Sequence, residues 1–301
     1  METDRASTTA YLIARSTVFV SRDPRIGHLV PARSAEICDW FIQERSQRAR
    51  WLLNAMCAKW FRPAVSALER MILPGIQLHY VLRKLYLEEI TRRALRAGFR
   101  QIVALGAGFD TLALRLCEEF PQAHFIEIDH PTTQQIKRGC IEKHYPPKQN
   151  LLFLPLDFNR QSLAGKLTQC DRCESSENTL LIAEGLLMYL ALSEVDEIFS
   201  FIRHHSGPRS LFAFTFMEQQ EDGRIAFSNS SRMIDAWLRF RGETFKWGIR
   251  RDRLSDYLAA RGFALRDIAA PDTLRRRYLV SERMTHLPLA HGECISLASR
   301  A

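Results

Sequence analysis

At 301 residues, with 46% hydrophobic and 25% charged side chains, the chain has the composition of a globular protein able to bury a substantial core. That excludes general disorder and favours one large α/β domain carrying a cap. The formal charge of +8 does not point to nucleic acid, because the densest basic groups (Arg45-Arg48-Arg50, Arg92-Arg93-Arg96, Arg250-Arg251-Arg253, Arg275-Arg276-Arg277) are scattered and sit in helical periodicity as solvated faces.

At the start, Met1-Glu2-Thr3-Asp4-Arg5 lacks the apolar core of a secretion signal. From about Ala35 to Ala97 apolar residues recur at three- and four-residue steps: Ile37, Phe41, then Trp51, Leu52, Ala55, Met56 and Trp60. Pro63 and Pro74-Gly75 break the pattern, and a long helix through Leu78, Val81, Leu82, Leu85, Tyr86 and Ile90 stops at Gly98. Residues 1–97 are therefore read as an N-terminal helical cap on the same domain.

After Gly98 the rhythm changes to short apolar runs at 101–105, 124–128, 151–156, 179–183, 211–216, 263–269 and 294–298, separated by helix-like stretches. For residues 98–301 this predicts a Rossmann-like, seven-stranded, mostly parallel sheet, the last strand antiparallel, with helices on both faces. The segment at about 218–250, carrying Phe227, Trp237, Phe240, Phe245 and Trp247, is longer than a crossover needs and reads as a helical insertion over the functional end.

The run from Thr179 to Leu192 is the longest apolar stretch, but Glu184 interrupts it and it is too short to span a bilayer, so no membrane partner is expected. Seven cysteines without framework spacing fit a reducing cytoplasm. Cys170-Asp-Arg-Cys173 has the spacing of a zinc pair but no second pair follows, so no metal is expected.

The chemistry concentrates at the strand ends. Strand 101–105 runs into Gly106-Ala107-Gly108-Phe109-Asp110 and then a helix, the turn that lets backbone approach a nucleotide-type ligand. Thr111 stands where the dinucleotide fingerprint has its third glycine, which weakens a nicotinamide reading. Asp129, at the tip of the second strand, is suited to accept from both ribose hydroxyls or to cap the next helix; Glu127, on the same face one step deeper, competes with it or orients the loop. Asp157 ends the third run, placed to accept from an adenine amine while Phe158 covers the ring. Glu184 is a carboxylate inside an apolar stretch and needs a cation facing it, either a ligand ammonium or a fixed Arg.

Together the stretch Arg100 to Thr111, Glu127-Ile-Asp-His-Pro131 with Lys137-Arg138, and Ile182-Ala-Glu-Gly-Leu-Leu-Met-Tyr189 resemble the leucine carboxyl methyltransferase family, from about Leu78 to Phe216. The resemblance implies an S-adenosyl-L-methionine cofactor. It assigns Arg83 to the cofactor carboxylate, Gly106 with Ala107, Gly108 and Asp110 to the loop against it, and Asp129 with His130 to the ribose. Asp157 with Phe158 would hold the adenine, and Glu184 with Gly185 would lie near the methionine end. The alternative reading of Arg83 is a surface helix arginine.

The implied reaction is O-methylation of a carboxylate or hydroxyl of a small, acidic metabolite, which the Arg-rich cap would suit. The N-terminal region and the short segment between the third and fourth strands depart from the eukaryotic branch, leaving a protein C-terminus as the alternative acceptor. A carboxylate acceptor needs no base; for a hydroxyl, His79, His130 and Tyr189 are the candidate bases. The rivals are a nicotinamide-dependent oxidoreductase, whose dinucleotide fingerprint lacks its third glycine here, and a binding module that holds the cofactor without chemistry.

Overall fold

A computed structural model describes residues 8–157, 163–168, 170, 174, 176–230 and 244–301. The cap comprises α1 (Thr8–Ser21), α2 (Ser34–Arg45), α3 (Gln47–Cys57), α4 (Arg62–Ile72) and α5 (Ile76–Arg96). In α5 the buried residues Leu78, Val81, Leu82, Tyr86, Ile90 and Ala94 recur every three to four positions, so one stripe of a 21-residue helix lies against the sheet. The cap begins earlier than its sequence pattern suggests. Tyr11, Ala14 and Val18 form the buried stripe of α1, and their signal is diluted because Ser16 and Thr17 are buried beside them, returning their hydroxyls to the backbone carbonyls of Leu12 and Ile13.

The core alternates β1 (Gln101–Leu105), α6 (Leu112–Glu119), β2 (His124–Asp129), α7 (Pro131–His144), β3 (Leu151–Pro155), α8 (Leu163–Thr168), β4 (Thr179–Ala183), α9 (Leu192–His204) and β5 (Leu211–Met217). It closes with α10 (Arg251–Ala259), β6 (Phe263–Ala269), α11 (Pro271–Tyr278) and β7 (Glu293–Arg300). The seven strands lie in the order β3-β2-β1-β4-β5-β7-β6. Neighbours from β3 to β5 are parallel, and β7 runs antiparallel to both β5 and β6. The predicted seven-stranded Rossmann-like architecture is thus the observed one.

Alternation along each strand divides the core into two layers. Ile102, Phe125, Leu180 and Ile182 face the layer shared with α5, α6 and the cap. Val103, Ile126, Leu181 and Phe212 face the layer shared with α9 and α10. The chain winds outward from β1 to β3 and then returns to the other side of β1 with β4. That reversal falls between β1 and β4, and the carboxyl ends of the strands flanking such a switch point are where sheets of this kind hold ligands.

Part of the expected helical insertion, residues 231–243 with Trp237 and Phe240, lies outside the described residues. Its described flanks, 218–230 and 244–250, form turns and single bridges rather than helix. Among the described residues no helix is long and apolar enough to cross a membrane.

Candidate functional site

The loop after β1 is built around Gly106, whose φ is +65°. Its amide and that of Ala107 donate to the Ile128 carbonyl at 2.8 and 3.2 Å, locking the loop to the end of β2. A Cβ at Gly106 would lie 3.0 Å from Leu186 Cδ1, so the glycine is required both by the backbone and by the β4 loop pressed against it.

Asp129 ends β2 where predicted. Its Oδ2 accepts from the Gly108 amide, and its Oδ1 accepts from the His130 amide at 2.6 Å. Burial pushes this carboxyl above the usual range, and the two amides oppose that rise. The capping role weighed for Asp129 is filled instead by His130, whose Nδ1 accepts from the Thr132 amide at 3.4 Å at the start of α7. His130 Nε2 also stands 3.9 Å from Asp157 Oδ2, so the tips of β2 and β3 face one another. Phe158 lies outside the described residues.

Glu127 does not share the loop with Asp129. It is buried and paired to Lys137 of α7 at 2.6 Å, both side chains about 1% exposed. Alternation puts it on the same face as Asp129, but α7 covers that position and supplies a cation. Burial, the larger influence, raises the Glu127 pKa to about 7 against the pull of Lys137.

At the tip of β4 the cation facing Glu184 is Arg83. Nε and Nη2 of Arg83 both reach Glu184 Oε1 at 2.8 Å. Arg83 is not a surface residue: it is only 3% exposed, and its Nη1 donates to both oxygens of Glu293 at 2.7 and 2.8 Å. The next residue, Lys84, bridges Asp110 at 2.8 Å and Glu184 at 3.2 Å. Burial works against the Lys84 ammonium, but Asp110 and Glu184 outweigh it and raise its pKa to about 12. Burial likewise opposes the Asp110 carboxylate, and Lys84 more than compensates, holding it well below the carboxylate range. Two consecutive residues of α5 therefore join the β1 loop to the β4 tip. Gly185, with φ +62°, follows Glu184 and donates its amide to Thr215 Oγ1 at 2.8 Å.

Beside His130, the other two candidate bases are placed differently. His79 is fully buried, with Nε2 2.9 Å from Glu293 Oε2, so it faces the interior ion pairs. Tyr189 lies in a short 3-10 turn after β4, half-buried, its ring 5.5 Å from that of Phe245.

Sequence reasoning missed Lys84 and Glu293, which the structure places in the same network. Lys84 follows an assigned residue and could have been found from its helical neighbour alone. Glu293 directly precedes the apolar run 294–298, and a carboxylate there carries the same demand for a cation that exposed the role of Glu184. Helix α1 of the cap also reaches this loop: Tyr11 packs on Phe109 of the β1 loop with ring centroids 4.6 Å apart.

A hollow of about 860 Å³ opens at the ends of β5 and β6, lined by Glu218, Glu221, Asp222, Arg250, Arg251 and Asp272 among others. It borders none of the predicted site residues, so the site is defined by its side-chain geometry and not by that hollow. Among the described residues there is no group of three or more His, Cys, Asp and Glu able to hold a metal ion.

The model of the leucine carboxyl methyltransferase family matches residues 4–203. A Mycobacteroides abscessus protein named "Putative S-adenosyl-L-methionine-dependent methyltransferase" is 31% identical over 204 residues, 64% of this chain and 63% of that protein. A Bacillus subtilis protein of the same name with the suffix YktD is 25% identical over 193 residues, 64% of this chain and 63% of its own length. The matches thus span less than two thirds of these curated relatives. Among solved structures, one described as a "putative methyltransferase" from Thermobifida fusca covers 90% of this chain and 94% of its own, with a TM-score of 0.54. At 16% identity that likeness shows the fold alone.

Proposed function

The chain belongs to the leucine carboxyl methyltransferase family, and from that premise we propose that it is an S-adenosyl-L-methionine-dependent O-methyltransferase acting on a carboxylate or hydroxyl of a small metabolite. The curated relatives carry this cofactor in their names. The observation that supports the reading best is the linkage of the strand tips: Asp129 bonded to the Gly108 amide on one side, and Arg83 with Glu184 on the other, tied to the same loop through Lys84 and Asp110.

The residues present fit the cofactor by their chemistry. An ionised carboxylate offers about four acceptor directions, so Asp129 can keep both amide bonds and still accept from ribose hydroxyls. Arg83 and Glu184 form an opposite-charge pair, 3% and 14% exposed, matched to the carboxylate and ammonium of an amino acid. Asp157 would accept from the adenine amine, with Phe158 on the ring. Bound S-adenosylmethionine supplies a methyl carbon activated by its sulfonium for in-line displacement.

The protein's own task is then to hold the acceptor and exclude water. A carboxylate acceptor arrives ionised and needs no base. A hydroxyl acceptor would need one, and Tyr189 is the better placed candidate because His79 is enclosed. The overall charge of +8 favours an acidic acceptor. A protein C-terminus remains the alternative acceptor, and a non-catalytic cofactor-binding module the alternative of another class.

Incubation with S-adenosylmethionine and fractionated small-molecule extract, followed by assay of S-adenosylhomocysteine, tests the proposal. Formation of the demethylated product that depends on a fraction rich in organic acids or phenols is expected. Cofactor binding without any such product would leave a binding module, and titration showing NADH bound in preference to S-adenosylmethionine would reject the reading.

A further inference from the structure

Resting on that reading of Arg83 and Glu184, we infer that Glu293, the first residue of the antiparallel strand β7, is the positioning residue that keeps Arg83 available for the cofactor's carboxylate. In the structure every nitrogen of the Arg83 guanidinium is occupied: Nε and Nη2 by Glu184, Nη1 by Glu293. These two carboxylates differ in setting. Glu184 follows the end of β4 in a loop, is 14% exposed, and is shared with Lys84. Glu293 is 1% exposed, paired opposite Met217 in the β5–β7 ladder, and braced by His79 Nε2 at 2.9 Å and by the Thr215 hydroxyl.

The brace reaches the site from behind. The Thr215 hydroxyl that contacts Glu293 also accepts the Gly185 amide, so β5 couples Glu293 to the residue next to Glu184. A buried guanidinium needs a full counter-charge at all times. For Glu184 to take up an ammonium and Arg83 a carboxylate, their mutual contact has to be shared with the ligand. Glu293 makes that sharing possible: it neutralises Arg83 from the side away from Glu184 and fixes the plane of the fork through both of its oxygens. Without it, Glu184 is the remaining carboxylate bonded to Arg83, the internal pair closes on itself, and it competes with the ligand's amino-acid arm at both ends.

The arginine beside Glu293 holds its carboxyl down at about 2 despite burial, so it is ionised at neutral pH. Glu293→Gln preserves size and removes that charge. The readout that separates positioning from a general structural role is a pair of ligands: S-adenosylmethionine, and 5′-methylthioadenosine, which has the nucleoside but no amino-acid arm.

By calorimetric titration of the full chain, below the melting temperature measured for each variant, Glu293→Gln is expected to weaken S-adenosylmethionine about tenfold and to change 5′-methylthioadenosine less than twofold. Glu293→Asp, which keeps the charge, is expected to lose less than Glu293→Gln and guards against a glutamine variant that fails to fold. Unchanged or tighter S-adenosylmethionine binding, equal losses for both ligands, or an aspartate variant no better than glutamine would each overturn the assignment. Wild type that binds neither ligand would instead reject the cofactor reading itself, so the two failures are told apart.

Discussion

The guanidinium of Arg83 and the carboxylate of Glu184 meet at 2.8 Å although 101 residues separate them. One comes from the cap helix α5 and the other from the loop after β4, so their contact closes the cap onto the sheet at the topological switch point. As the reading of the site has it, Glu184→Gln removes the counter-charge for the cofactor's ammonium. Affinity for S-adenosylmethionine is expected to fall about tenfold, about 1.4 kcal/mol, the scale of one charge-assisted bond. Titration that shows no change would remove Glu184 from cofactor recognition.

Asp129 is fixed by two backbone amides before any ligand arrives. Asp129→Ala should therefore weaken cofactor binding by about 1–3 kcal/mol through lost hydrogen bonds to an ionised acceptor. The helical and strand content should stay as in wild type, since the residue closes no core cluster. Circular dichroism together with titration checks both halves, and retained affinity counts against the ribose assignment.

Gly106→Ala places a side chain at φ +65° and 3.0 Å from Leu186 Cδ1. The left-handed backbone alone costs about 1–2 kcal/mol for a residue with a Cβ. A lower melting temperature is expected, accompanied by weaker cofactor binding because the loop and the β4 tip are pushed apart. A variant that melts and binds as wild type would show that the loop has room the structure does not indicate.

The buried pair of Glu127 and Lys137 gives a pH-dependent prediction. The pKa of Glu127 is raised from 4.5 to about 7, so the folded chain binds more protons than the unfolded chain across that window. The contribution of Glu127 to stability is then present below about pH 4.5 and declines as pH rises through about 7. Lys137→Met removes the cation 2.6 Å from it, and stability at pH 8 should fall by about 3–5 kcal/mol, the cost of stranding a buried charge. At pH 5 the carboxyl takes up a proton and the loss should be smaller. Denaturant unfolding at the two pH values measures this, and an equal loss at both would show that Glu127 is not charged at the higher one.

The local pattern of the chain was enough for the strands and for the acids at their tips. Each strand is short, apolar and bounded by turn residues, and a period of two decides which side chains enter which layer, as Ile102 and Val103 show. The loop glycines, Asp129 and Asp157 were legible because a carboxylate or glycine at a strand end is a local feature.

What the sequence could not contain was the pairing. That Glu127 meets Lys137 under α7 while Asp129 meets the Gly108 amide follows from helix α7 lying over one position and the β1 loop over the other. That Arg83 stands between Glu184 and Glu293 follows from β7 entering antiparallel beside β5, which brings residue 293 to the same end of the strands as residue 184. Burial creates the demand of each charge for a partner and can be read along the chain; only the crossing of distant elements in space decides which partner answers it.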